Sequence, residues 1–276
     1  MTAPMRKDYI PVSDTDSRLD ESAFVEDYWT RAWDGHSLSD SARSQIERRE
    51  EFKWMDPYIA QLPPHSRLLD GGCGLGEWTL YYTARGFDAT GLDISRATIE
   101  RLKSQFPDAR FVVGDIRNTG FPDGHFDAYF SWGTFEHFEE GLAPCVREAR
   151  RILKPNGGLF ISVPFHNGRH LRADRRDLWQ VDANFGRRRG YTAPMRFYQW
   201  RLTRAELWRE LELNGFRALR VVPICRLHGI HRAVKHDLGI RPGTLWDKLA
   251  VALLYPLLSS NYIAHMILGI GRRAEG

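Results

Sequence analysis

Between residues 66 and 163, short apolar runs alternate with stretches whose apolar residues recur every three or four positions. The short runs predict strands near 66–71, 87–93, 109–113, 126–132 and 158–163. The stretches between them predict helices near 76–85, 95–105 and 141–153. Strand followed by helix, repeated, argues a parallel sheet with helices on both faces. Local chemistry supports the boundaries. Ser95 suits a helix N-cap, Ala143-Pro144 a helix start, and Pro155-Asn156-Gly157-Gly158 a turn.

The flanks read differently. Residues 1–20 are polar and without periodicity, and are expected to form a mobile tail. Residues 22–33 predict a helix with an aromatic face, stopped by Gly35, and a second helix is expected over 39–61. The alternation pauses after residue 165 for an insertion over 165–202. It resumes with a helix over 203–213, ended by Asn214-Gly215, and a strand near 216–224. Residues 249–258 carry no charge, and 262–270 are expected to form the last strand. The expected division is a tail and helical cap over 1–60 and a main domain over 61–276.

The most informative stretch is Leu68-Leu69-Asp70-Gly71-Gly72-Cys73-Gly74-Leu75-Gly76. A strand feeds a turn poor in side chains, which lets backbone approach a ligand closely at the start of a helix. A nicotinamide-binding turn would place a third glycine where Glu77 stands. An acid inside the bend, Asp70, suits a ligand carrying an ammonium group better than one carrying pyrophosphate. Asp93, in Gly91-Leu92-Asp93-Ile94-Ser95, lies 17 residues after Gly76, about where a ribose-binding carboxylate belongs. Gly114-Asp115-Ile116 ends a third strand.

This series resembles the Rossmann-like, class I S-adenosylmethionine-dependent methyltransferases. Residues 126–137, from Phe126-Asp127-Ala128 to Phe135-Glu136-His137, match further, as do residues 153–164 around Leu153-Lys154-Pro155-Asn156-Gly157-Gly158. The resemblance implies an α/β three-layer sandwich with a mostly parallel seven-stranded sheet, its last strand antiparallel. An N-terminal helical cap and an insertion after the fifth strand complete the expected fold. It implies S-adenosyl-L-methionine as methyl donor and S-adenosyl-L-homocysteine as product. Asp70 would face the methionyl ammonium, with Gly71, Gly72, Cys73 and Gly74 forming the turn around the amino-acid portion. Asp93 would accept from the ribose hydroxyls, Ile94 and Ile116 would pack on adenine, and Asp115 would receive its amino group. Trp132 would sit near the methionyl part, with Tyr28, Trp29 and Trp33 as candidate lid residues.

The acceptor side has less to read. A hydroxyl nucleophile must lose a proton, so a base is expected near the methyl group. His137 and His166 are the candidates, with His170 in reserve; each could equally be a loop residue bonded to backbone. Between Arg169 and Arg204 ten arginines stand against three acids. Arginine suits bidentate contact with phosphate or carboxylate, so the insertion is either an anion-binding pocket or a solvated, partly salt-bridged loop. The expected activity is O-methylation of a small-molecule or sugar-type biosynthetic intermediate. N- or C-methylation of an aminosugar or quinone-like metabolite, and a non-catalytic cofactor-binding homologue, are the alternatives.

Composition changes little. Hydrophobic residues make up 42% of the 276, enough for a sizeable core. Three cysteines without metal spacing point to a reducing, cytoplasmic setting and to no metal. The N-terminal residues lack the apolar core of a signal peptide, and no apolar run reaches the ~18 residues of a membrane span. Lysine supplies six of the 39 basic residues, and no RNA-binding module is recognisable, so no nucleic-acid partner is expected. The 249–258 segment has two readings. It is a helix packed beside the sheet, or a peripheral surface gripping a lipid-linked substrate beside Lys235, Arg241 and Lys248.

Overall fold

In a computed structural model of the chain, the described residues are 6–36, 45–174 and 193–275. In chain order the elements are β1 (Arg6–Pro11), α1 (Glu21–Trp33), α2 (Glu50–Ile59), β2 (Arg67–Gly71), α3 (Glu77–Ala84), β3 (Asp88–Asp93) and α4 (Arg96–Gln105). Next come β4 (Arg110–Val113), β5 (Phe126–Trp132), α5 (Ala143–Ile152), β6 (Leu153–Pro164) and α6 (Gly168–Asp174). The chain ends with β7 (Met195–Arg201), α7 (Arg204–Leu213), β8 (Phe216–Ile224), α8 (Arg226–Leu238), α9 (Leu245–Leu254), α10 (Ser260–Ile263) and β9 (Met266–Arg273).

Seven strands form one sheet in the order β4-β3-β2-β5-β6-β9-β8. Strands β4, β3, β2, β5 and β6 run parallel, and β9 is antiparallel to both of its neighbours. The period of two along each strand feeds two helical layers. Leu69, Tyr129, Leu159 and Ile161 bury against α5 and α7 through Cys145, Val146, Ala149, Leu207 and Leu211. Their strand neighbours Leu68, Ala128, Phe130 and Phe160 bury on the other face against Met55 and Ile59 of α2 and Trp78 and Tyr82 of α3. Three layers follow from that alternation, as expected. All three cysteines are unpaired. No helix of the described residues is long and apolar enough to cross a membrane.

The flanks depart from expectation in three places. Residues 6–11 are no tail: β1 pairs antiparallel with β7, Arg6 opposite Arg201 and Pro11 opposite Met195. The pairing is sealed by Arg201 Nε donating to Asp8 at 2.6 Å and Gln199 Nε2 at 2.8 Å. A strand whose partner lies about 190 residues away leaves no local signal. The helix expected over 39–61 is broken. Residues 37–44 lie outside the described residues; Ile46–Arg48 is a single 3-10 turn, and Arg49 is extended at ψ 144°. That kink carries the Arg49 guanidinium to Glu77 and over the Trp78 ring. At the C-terminus, the strand expected from 262 begins at Met266, where β6 and β8 both end in register with it. The preceding residues form α10 instead.

Candidate functional site

Four strand ends build a cleft. The turn after β2 bends through Gly72 (φ 74°), Gly74 (φ 50°) and Gly76 (φ 74°). A Cβ on Gly72 would lie 2.3 Å from the Thr134 Oγ1, and one on Gly74 2.8 Å from the Trp33 ring. Only glycine combines that backbone with that proximity. Four amides of this turn are bonded inside the protein. Gly72 and Cys73 donate to the Leu92 carbonyl at 2.7 and 3.0 Å, Gly76 to Cys73 at 2.8 Å, and Gly74 to Asp93 Oδ2 at 2.9 Å. A phosphate cradle needs such amides free, and these four are already bonded within the protein.

A cavity of about 600 Å³ opens over the strand ends, floored by Gly72, Asp93, Ile94, Asp115, Ile116 and Trp132. Asp93 is 5% exposed, and its carboxylate is aimed by two amides, Gly74 and Ser95, each at 2.9 Å. Burial pushes its pKa up while those amides oppose the shift. Asp115 is gripped by Arg117 through the backbone amide at 2.8 Å and the guanidinium at 2.7 Å. Trp132 contributes a buried Nε1–H without a hydrogen-bond partner among the described residues. A buried donor of that kind carries a cost that a ligand acceptor removes.

The expected site residues do not all converge. Asp93, Ile94, Asp115, Ile116, Trp132 and Gly72 line the cavity, whereas Asp70, Gly71, Cys73 and Gly74 do not. Asp70 Oδ2 accepts from Thr79 Oγ1 at 2.8 Å and from the Thr79 amide at 3.2 Å, which ties β2 to α3. Burial pushes its pKa to about 7. Asp70, expected to face the methionyl ammonium directly or through water, is thus bonded to the start of α3 and lies outside the cavity lining. Gly71 is packed by Tyr129, which lies where a Cβ would be.

The roof is α1, contributing Val25, Trp29 and Trp33. Trp29 stacks on Trp33 at 5.7 Å and meets His137 edge-on at 5.0 Å. Tyr28 turns away and packs on Tyr198. Arg117 staples the roof to the floor, reaching Glu21 Oε2 at 2.6 Å and Ser22 Oγ at 2.9 Å while holding Asp115. Its guanidinium also covers the Phe138 ring at 4.1 Å. Replacing Arg117 by Ala frees α1 at that end and exposes the Asp115 charge. We expect S-adenosylhomocysteine affinity to fall roughly tenfold by calorimetry; unchanged affinity would show the roof is held without it.

The histidines separate. His137 lines the cavity, is 6% exposed, and gives Nδ1–H to the Tyr198 carbonyl at 2.7 Å. That bond leaves Nε2 as the basic nitrogen. Burial lowers its pKa to about 4, so it is neutral at pH 7. His166 is 3% exposed and lies away from this cavity, packed against His170; burial and the charges of Arg6 and Arg201 lower its pKa to about 4. His170 belongs to a second cavity. Sequence reasoning gave Glu136 no chemistry and missed Arg117. Glu136 is 2% exposed, its Oε2 has no hydrogen-bond partner among the described residues, and burial pushes its pKa to about 8. A carboxyl next to a histidine, both within a strand-end turn, was the available signal.

The second cavity, about 1480 Å³, lies where β1 and β7 face α8, with Asp8, His170, Tyr198 and Arg201 in its wall. Tyr198 joins the two cavities. Its carbonyl holds His137, and its ring packs on the imidazole at 4.9 Å.

Residues 69–161 match the family model described as a methyltransferase domain. The chain is 34% identical over 128 residues to a 2-methyl-6-phytyl-1,4-hydroquinone methyltransferase of Synechocystis sp., covering 45% of this chain and 37% of the relative. It is 32% identical over 101 residues to a malonyl-[acyl-carrier protein] O-methyltransferase of Pectobacterium atrosepticum, covering 36% and 40%. Its fold resembles geranyl diphosphate C-methyltransferase from Streptomyces coelicolor, solved with Mg2+, geranyl diphosphate and S-adenosyl-L-homocysteine. The TM-score is 0.59 at 15% identity, covering 93% of this chain and all of that one. Residues 69–161 thus match a methyltransferase domain, in a fold shared with a solved methyltransferase that holds S-adenosyl-L-homocysteine. The chain spans only about two fifths of those curated relatives' own lengths.

Proposed function

We propose that this protein transfers a methyl group from S-adenosylmethionine to a small-molecule acceptor held in the second cavity, most simply to an oxygen atom. The observation that carries the reading is the floor of the first cavity. Asp93 points two amide-oriented oxygens at it, and the Gly72, Cys73, Gly74 and Gly76 amides beside it are bonded within the protein. In this reading Asp93 accepts from the ribose hydroxyls, Ile94 and Ile116 form an apolar slot for the base, and Asp115 takes the adenine amino group. Trp132 Nε1–H answers a donor oxygen or carboxylate. Asp70, Gly71, Cys73 and Gly74 support the turn rather than touch the ligand. The cap over 1–60 and the insertion over 165–202 act together, because β1 and β7 are one hydrogen-bonded unit.

The donor supplies an electrophilic methyl on a sulfonium. The protein has to hold the nucleophile in line with it and take away a proton. His137 is the better placed base, because it lines the donor cavity; its low pKa makes it a weak one, adequate where the nucleophile's proton leaves as the bond forms. His166 is the second candidate, on the acceptor side of the wall. Relatives named for a quinol and for a malonyl thioester carrier, and a fold neighbour named for an isoprenoid diphosphate, leave oxygen and carbon both open as the atom methylated.

Calorimetry with S-adenosylhomocysteine tests the donor site, and mass spectrometry of metabolite extracts for a gain of one methylene tests turnover. Donor binding without turnover on any extract would favour the non-catalytic alternative. His137→Ala is expected to lower kcat roughly a hundredfold while leaving donor affinity near the parent value. If His166→Ala does this instead, the base sits on the acceptor side.

A further inference from the structure

Residues 249–258, uncharged in sequence, present two apolar sides. Ala250, Val251 and Leu254 of α9 pack on Ile230, Ala233 and Val234 of α8. At 3.6 residues per turn the opposite side carries Leu245, Trp246, Leu249 and Leu253, and these are 51–71% exposed. Leu257, in the turn after the helix, and Leu238, the last residue of α8, are exposed as well. A helix that is apolar all round is ordinarily covered all round. Here α8 covers one side, and the other is an apolar face of the kind that marks a contact surface.

The margin of this face is basic. Lys248 stands on α9 at the edge of the exposed side. Arg241, in the loop leading into the helix, and Lys235, near the end of α8, are exposed too. Between residues 226 and 258 five lysines and arginines stand against two acids. Both acids are engaged within the protein. Asp247, 1% exposed, accepts from the Gly243 amide at 2.8 Å and pairs with His231 at 3.0 Å. Asp237 accepts from Arg169 Nε at 2.8 Å. The loop joining the helices is open on its outer side: a Cβ on Gly239 or Gly243 would meet no atom within 4 Å.

We infer that this face of α9 docks on an anionic lipid bilayer, with Trp246 and the leucines entering the headgroup boundary and Lys235, Arg241 and Lys248 meeting lipid phosphates. Three observations select that occupant. Tryptophan among leucines with a basic margin is the composition of a helix that lies in a bilayer interface. The ten residues of α9 make it about 15 Å long, half the ~30 Å of hydrocarbon, so it lies along the surface and does not span. A second copy docked by the same face would set the basic margin against itself, with both nearby acids already engaged. None of these residues lines the first cavity, so the inference stands apart from the donor-site reading.

Vesicle sedimentation with the full chain tests it, using phosphatidylcholine vesicles with and without phosphatidylglycerol. The chain should bind the anionic vesicles roughly tenfold or more tighter than the neutral ones, and the difference should shrink as salt rises. Trp246→Asp and Leu253→Asp, made separately at exposed positions, should each weaken anionic-vesicle binding roughly tenfold or more. Thermal melting of both should stay at the parent value. Arg241→Gln combined with Lys248→Gln should bring affinity for anionic vesicles down toward that for neutral ones. Binding to neither vesicle, equal binding to both, or binding that survives both aspartate variants would overturn the proposal. Sedimentation velocity without lipid checks the other occupant: a dimer that Trp246→Asp dissolves would assign the face to a second copy and overturn it too. S-adenosylhomocysteine binding, measured in the same samples, should be unchanged by every variant. Its absence in the parent chain, with vesicle binding intact, would sink the donor reading and not this one.

Discussion

Asp93→Ala should weaken S-adenosylhomocysteine binding roughly a hundredfold or more. Two hydroxyls lose charge-assisted acceptors at once, each worth about 1.5–3 kcal/mol when the acceptor is ionised. The carboxylate is oriented before any ligand arrives, by the Gly74 and Ser95 amides. Binding therefore spends little on arranging it. The same two bonds make the side chain a brace for the glycine turn, so the alanine variant should also melt lower. Asp93→Asn removes the charge and sets its amide nitrogen against either the Gly74 or the Ser95 N–H, so it should lose one brace bond and melt between the parent and the alanine variant. Calorimetry and thermal melting on both variants decide it. If Asp93→Ala binds S-adenosylhomocysteine as tightly as the parent, the cavity does not hold a ribose there.

Glu136→Gln should stabilise the protein at alkaline pH and make little difference at acid pH. Burial lifts the Glu136 carboxyl from its ordinary 4.5 to about 8, with its own backbone amide opposing weakly. Between those values the folded protein keeps a proton that the unfolded chain has released. The folded state then binds more protons, so its stability falls as pH rises through this window. Glutamine has the same shape and cannot ionise. Its advantage should grow from pH 4.5 upward and level off above about pH 8, reaching at most about 5 kcal/mol there. Asp70, lifted to about 7, adds a parallel loss in the parent that the variant retains. Melting curves from acid to alkaline pH measure the difference, and a pH-independent difference would mean the carboxyl is not held protonated. A methyl-transfer profile that shifts with the same variant would place Glu136 behind His137, 4.0 Å away, as a positioning residue.

The core elements were legible because both faces of each central strand are buried. A continuous apolar run bounded by glycine or an acid is the mark of such a strand. Residues 67–71, 88–93, 110–113 and 126–132 all lie where the pattern put them. The acids that line the first cavity, Asp93 and Asp115, were legible for a related reason. They stand at strand ends, where the alternation stops and a carboxylate interrupts an apolar run. Asp70 shows the limit of that signal. It carries the same local signature as Asp93, yet Thr79 of the following helix turns its carboxylate away from the cavity.

What sequence alone determined is the parallel sheet, the glycine turn with Glu77 in place of a third fingerprint glycine, and Asp93, Ile94, Asp115, Ile116 and Trp132 as residues of one cluster of strand ends. All of these depend on residues near each other in the chain. Tertiary structure alone decided the pairing of β1 with β7, the roof that Arg117 staples, and the arginine-lined cavity completed by α8. Those contacts join residues roughly 95 to 230 positions apart, and only the closing of the fold makes them neighbours. Chain topology, not local propensity, sets such pairings, because each becomes favourable only after the sheet between them has formed.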